Sequence, residues 1–176
     1  GRGTTSPWTT YEAEDGHSNA SVHGPCRDYY TPEAESSGRK YVRLDAVGEF
    51  VEIKAQRRAN SIVVRFCIPD GLDATLSLYI NGRFKKKLEL TSRYAWVYGD
   101  FPWTNNPQDG KSHKFFDECR ALIGQLHPGD VIRLRKDDAD TAGYYLIDFI
   151  ELEQVGPPLN RPANSLSIAD FGSIAE

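Results

Sequence analysis

The chain has 176 residues, of which 26% are charged and 39% hydrophobic, with a formal net charge of −4. That length bounds it to one domain with at most a fragment of a second, and the apolar content excludes wholesale disorder. Lys85-Lys86-Lys87 is the one basic run and no apolar stretch approaches ~18 residues, so neither nucleic acid nor a membrane is an expected partner.

Residues 1–10 are small and polar and are expected to be loose. Tyr11–Asp15 reads as a short strand, and the Ser-, Gly- and Pro-rich stretch 16–38 as a long surface loop. Lys40–Leu44 and Glu49–Lys54 are strand runs on either side of Asp45-Ala46-Val47-Gly48. Ser61–Ile68 is β-branched almost throughout and is stopped by Pro69-Asp70-Gly71. Ala74–Ile80 alternates apolar and polar positions, Asn81-Gly82 predicts a tight hairpin, and Lys85–Leu90 is the returning strand. Tyr94–Tyr98, Phe115–Ile123 and Val131–Arg135 are further strands, separated by a long loop at 99–114 and by His127-Pro128-Gly129-Asp130. The polar loop 136–143 feeds a last run, Tyr144–Leu152, which is apolar on both faces and therefore reads as a core strand. Roughly eight to ten short strands and no helix of useful length predict an all-β, antiparallel β-sandwich over residues 11–155. Residues 156–165 have linker composition, and 166–176 read as the first strand of a following domain, so the chain looks cut from a longer protein.

Three cysteines, Cys26, Cys67 and Cys119, leave at least one thiol free. Cys67 lies in an apolar run and reads as structural, while a Cys26–Cys119 bridge stays open. The four histidines have no zinc-type spacing. Asp148 is the anomaly: a carboxylate inside the last apolar run needs a partner or a metal. If the first and last strands meet, Glu12, Glu14 and Asp148 could close on one hard cation, and such a ligand set suits calcium. The alternative is that Glu12 and Glu14 are solvated and that an arginine pairs with Asp148.

Tyr11-Glu12-Ala13-Glu14-Asp15, Ser37-Gly38-Arg39-Lys40-Tyr41-Val42 with Val47-Gly48-Glu49-Phe50-Val51, and Leu146-Ile147-Asp148-Phe149-Ile150-Glu151-Leu152 occur in that order. Together they resemble the carbohydrate-binding modules of families 6 and 35, over roughly residues 10–153. Asp170-Phe171-Gly172 resembles the start of a secreted right-handed β-helix glycanase. The combination is similar to the N-terminal module of an α-1,3-glucanase or mycodextranase-like glycoside hydrolase. The resemblance implies a jelly roll with a structural Ca2+ held by the side chains of Glu12 and Glu14, the carbonyl of Arg39, and Asp148. It also implies sugar binding in loops at one end of the sandwich. Sugar rings lay their C–H faces on aromatic rings, and their hydroxyls need polar partners. The residues of that kind in such loops are Trp103 with Asn105, Asp138 and Asp140 with Tyr144, and Tyr30.

The expected function is a non-catalytic module that brings a secreted glycoside hydrolase, carried C-terminally in the same chain, to a polysaccharide, with an α-glucan first among the candidates. A small catalytic glycosidase and a protein–protein adhesion sandwich are the alternatives. The glycosidase needs two carboxyls about 5–10 Å apart across a cleft. Asp117-Glu118 are consecutive in a strand and point to opposite faces, and Asp137-Asp138 lie in a loop.

Overall fold

The computed structural model describes residues 5–28, 31–94 and 115–172. Among the described residues eleven strands and one short α-helix follow in chain order: β1 (Trp8–Glu12), β2 (His17–Ser18), β3 (Ser21–His23), α1 (Pro32–Glu35), β4 (Tyr41–Leu44), β5 (Phe50–Lys54) and β6 (Ala59–Cys67) come first. Then come β7 (Asp73–Ile80), β8 (Arg83–Thr91), β9 (Asp117–Leu126), β10 (Val131–Arg135) and β11 (Tyr145–Glu153). They form two antiparallel sheets. The six-stranded one runs β3-β4-β11-β6-β9, with β1 also paired to β11, and the five-stranded one runs β2-β5-β10-β7-β8. Successive strands from β4 to β7 and from β8 to β11 alternate between the sheets. The all-β, two-sheet expectation therefore holds. Among the described residues no helix is long and apolar enough to cross a membrane.

Period-2 patterning decides which residues face inward. In β10, Ile132 and Leu134 are fully buried while Arg133 and Arg135 point out. In β6, Ile62, Val64 and Phe66 are buried and Ser61, Val63 and Arg65 lie on the outer face. Each such buried side chain contributes about 1.5–3 kcal/mol. The hairpin between β7 and β8 turns on Asn81 and Gly82, both at positive φ (51° and 75°), as a two-residue turn matched to strand twist demands.

Several local expectations differ. The first strand begins at Trp8, because Trp8, Thr9 and Thr10 pair with Glu153, Leu152 and Glu151. Ala13–Asp15 is a 3-10 turn that plugs the buried Ala13 into the core. The stretch read as a loop contains β2, β3 and α1. Thr31 caps the helix, accepting from the Ala34 N–H at 3.3 Å, and Pro32 opens it. All three cysteines are free thiols, so Cys26 and Cys119 are not bridged, and burial pushes Cys67 and Cys119 up to about 12. Most of the strand expected at Tyr94–Tyr98 lies outside the described residues. Ile168–Phe171 forms a 3-10 turn in place of a strand, because Arg161 and the Ser167 N–H both close on the Asp170 carboxylate.

Candidate functional site

The first and last strands meet. β1 pairs antiparallel with β11, placing Glu12 opposite Phe149. The register of β11 against β6 shifts between Ile147 and Phe149, so Asp148 is an extra, bulged residue whose side chain is buried. The turn Ser37–Arg39 lies against it. The Ser37 N–H donates to Asp148 Oδ1 at 2.9 Å and its hydroxyl to Glu12 Oε1 at 2.7 Å. Gly38 has φ +56°, and a Cβ there would stand 3.0 Å from Glu14 Oε1. Glu12, Glu14 and Asp148 thus gather around one turn, with Arg39 at its end.

Asp148 already has a cation. Arg65 Nη1 lies 2.5 Å from its Oδ2, and the same guanidinium is 3.6 Å from Glu35. Burial nevertheless pushes the Asp148 carboxyl up to about 6, outweighing the Ser37 N–H and the Arg65 charge, which both favour the ionised form. Of the two readings open in the sequence, the arginine partner is therefore present, but Glu12 and Glu14 are not simply solvated. Among the described residues, Glu12 Oε2 and Glu14 Oε2 are buried without a hydrogen-bond partner. Burial raises the Glu14 carboxyl, its own backbone N–H opposes the rise, and the Glu12 carboxylate adds to it. Orphaned carboxylate oxygens fit a hard cation, although among the described residues no three acidic, His or Cys side chains converge as a ready ligand set. The Arg39 carbonyl accepts from the Cys26 N–H at 3.4 Å and faces Gly24 closely.

The sugar candidates are scattered. Trp103, Asn105 and Tyr30 lie outside the described residues. Tyr144 is half-buried under the Arg43 guanidinium, 4.8 Å from its ring centroid, and packs against an apolar cluster on the outer face of the first sheet. Asp138 is exposed in the turn before β11. Asp140 is buried over the outer face of the second sheet, where it accepts from Thr75, Ser77 and Lys87. Tyr144 and Asp140 thus belong to opposite faces and form no common site. Reasoning from sequence missed Ser37, Arg65 and Lys87. The available signal was Arg65, a charge between Val64 and Phe66 in an otherwise apolar strand.

Among the carboxylate pairs, Asp117 pairs across strands with the inward Phe66 and Glu118 with the outward Arg65, so they do face apart. Asp137 is held by Arg135 and by the Tyr79 hydroxyl, each at 2.5 Å.

Two packed antiparallel sheets with carboxylates near the junction of first and last strands define a β-sandwich domain. Several solved structures similar to this chain are catalytic domains, GH87 α-1,3-glucanases among them. The Agl-KA catalytic domain is 33% identical, with TM-score 0.85, covering 99% of this chain and 32% of its own. The catalytic unit of a thermostable GH87 α-1,3-glucanase from Streptomyces thermodiastaticus strain HF3-3 is 34% identical, with TM-score 0.78, covering 94% and 29%. A GH87 α-1,3-glucanase catalytic domain in complex with nigerose is 28% identical, with TM-score 0.83, covering 96% and 32%. The model of the family "Alpha-1,3-glucanase catalytic domain D1" matches residues 5–155, and the chain belongs to that family. No curated protein sequence matches it.

This corrects the sequence reading. The chain is not a carbohydrate-binding module of the family 6 or 35 type, and the non-catalytic targeting function inferred from that resemblance falls with it. The short motifs that carried the resemblance mark a strand pairing that sandwiches of different families can share. The matched catalytic domains contain the equivalent of this chain within themselves, so a binder followed by a separate C-terminal catalytic domain is not what they display. The chain spans about a third of the solved catalytic domains it matches.

Proposed function

We propose that this chain works as the first domain of an α-1,3-glucan-hydrolysing catalytic unit, in a secreted enzyme whose ligands are glucan oligosaccharides. The family match over residues 5–155 carries the reading. Neighbouring structures in complex with nigerose and tetrasaccharides support the ligand class. Hydrolysis is assigned to the unit as a whole, since the chain is about a third of it. Residues 156–165 act as a linker and 166–176 lead into the following domain. Leu159, Leu166, Ile168 and Phe171 are all largely exposed, which supports packing against that remainder. The alternation of strands between the sheets supports a jelly roll.

The direct test is reducing-sugar release from α-1,3-glucan by the catalytic unit with this domain present and deleted, with a β-1,3-glucan as control. Loss of α-1,3-glucan hydrolysis on deletion supports the assignment. Full hydrolysis without the domain rejects it.

Ca2+ belongs to the same proposal. Glu12, Glu14, Asp148 and the Arg39 carbonyl would hold it, and it would supply positive charge to the buried carboxylates and so tie β1 to β11. The unpartnered oxygens of Glu12 and Glu14 support this. At a free Ca2+ concentration a hundredfold above Kd, urea unfolding should show a gain of about 2.7 kcal/mol that EDTA removes. An unfolding midpoint indifferent to both Ca2+ and EDTA would exclude the ion.

A further inference from the structure

The outer face of the first sheet, beyond the carboxylate cluster, is a regular grid. Strand register places Trp8, Glu153, Ser61 and Leu122 side by side in one row across β1, β11, β6 and β9. The next row is Thr10, Glu151, Val63 and Arg120. Alternate residues of a strand share a face, so both rows point away from the core. The bulky apolar side chains Trp8 and Leu122 stand on the two flanking strands, and between them lie Glu151 and Glu153 on β11 and the smaller Ser61 and Val63 on β6. The result is an open groove of about 730 Å³ that includes Trp8, Leu122, Ser61, Val63, Glu151 and Glu153. Trp8 is 41% exposed and Leu122 69%, although both are large apolar residues.

We infer that this groove binds a segment of neutral α-glucan, with Trp8 as the stacking platform and Glu151 and Glu153 as hydroxyl acceptors. This rests on the glucan reading above and adds a site to it. An aromatic wall matches the apolar C–H face of a pyranose ring. Carboxylates on the floor accept from sugar hydroxyls through charge-assisted bonds. Thr10 already fixes one of them, its hydroxyl donating to Glu151 Oε1 at 2.9 Å. Arg120 is ion-paired with Glu118 at 3.3 Å, so the groove and its rim present more negative than positive charge. An anionic polysaccharide would be repelled there, whereas an uncharged polyhydroxyl chain gains acceptors. The volume lies within the few hundred to ~1,000 Å³ of ordinary small-molecule sites.

The experiment is calorimetric titration of the whole chain with an α-1,3-linked glucotetraose, accompanied by backbone NMR shifts. Trp8→Ala should weaken binding roughly tenfold, the contribution of one stacked ring. Glu153→Gln should weaken it roughly threefold, because a neutral acceptor is the poorer one. Tetraose-induced shifts should cluster on β1, β6 and β9. Trp8 lies at the surface, so both variants should melt with the parent. Unchanged affinity in Trp8→Ala would overturn the groove. So would an absence of shifts on these strands while the catalytic unit still hydrolyses α-1,3-glucan, and the hydrolase reading would then survive alone. Tetraose bound at Trp8 without hydrolysis by the unit would keep the groove and remove that reading. If Trp8→Ala lowers the melting temperature of the whole unit without touching sugar affinity, the face is a contact with another domain and the proposal fails.

Discussion

Asp140→Ala is expected to destabilise the domain by about 3–5 kcal/mol, the largest single-residue effect outside the apolar core. The carboxylate is buried and takes up donors on both oxygens. Thr75 Oγ1 and Lys87 Nζ each lie 2.7 Å from Oδ1, and the Ser77 hydroxyl and N–H and the Asp137 N–H all reach Oδ2. Removing it strands the fully buried Ser77 amide and leaves the Lys87 ammonium, whose side chain is only 30% exposed, without its anion. Asn in its place keeps the shape but turns an NH2 toward donors, so it should recover less than half of the loss. Urea unfolding of the three proteins at pH 7 checks the order. Burial alone would raise the Asp140 carboxyl, but bonds from Lys87, Thr75, the Asp137 backbone and Ser77 outweigh it and hold the group below its ordinary 3.8. The unfolded chain therefore takes up this proton first as pH falls. The stabilisation is complete well above 3.8 and is lost on descending through the lower folded value. Asp140→Asn should accordingly show a shallower acid limb than the parent, and an identical limb would mean the carboxylate is not ionised in the fold.

Asp148→Ala is expected to cost about 3 kcal/mol, because it leaves the largely covered Arg65, against Phe116 and Phe149, with only the more distant Glu35. The Ser37 N–H also loses its acceptor. A buried ion pair is costly to break yet often replaceable by apolar groups, so Asp148→Leu combined with Arg65→Met should be more stable than Asp148→Ala alone. Equilibrium unfolding of single and double variants measures this coupling. A double variant no better than the single would show that the bulge itself, and not the charge, needs Asp148. Any stabilisation by Ca2+ should vanish in both.

What the sequence disclosed was local. Asn81-Gly82 announced its turn because the conformation is written in two adjacent residues. Val131–Arg135 was legible because alternation within five residues fixes both faces. Asp148 stood out as a charge in an apolar run. Its partner Arg65 is likewise a charge in an apolar run, but it lies 83 residues away and no local pattern ties the two together. Lys87, Thr75 and Ser77 each read as a solvent face, and only the fold of the loop 136–143 back over the second sheet turns them into the lining of a buried pocket for Asp140. Trp8 lies in the stretch 1–10, whose small and polar composition reads as a loose end. β2 and β3 are too short to carry any periodicity. The family resemblance misled for a related reason: the quoted motifs report how β1 and β11 join and how the turn and strands beside them pack, which are properties of the sandwich and not of the enzyme that contains it.

The pairing of Trp8 with Glu153 has one more consequence. Directly opposed residues in an antiparallel pair have Cα atoms about 5 Å apart. The backbone thus enters and leaves the sandwich through a single doorway, with the intervening residues forming one excursion between its two sides. Tension applied across the doorway would peel β1 from β11 one hydrogen-bonded pair at a time, like a zip, instead of shearing the strands together.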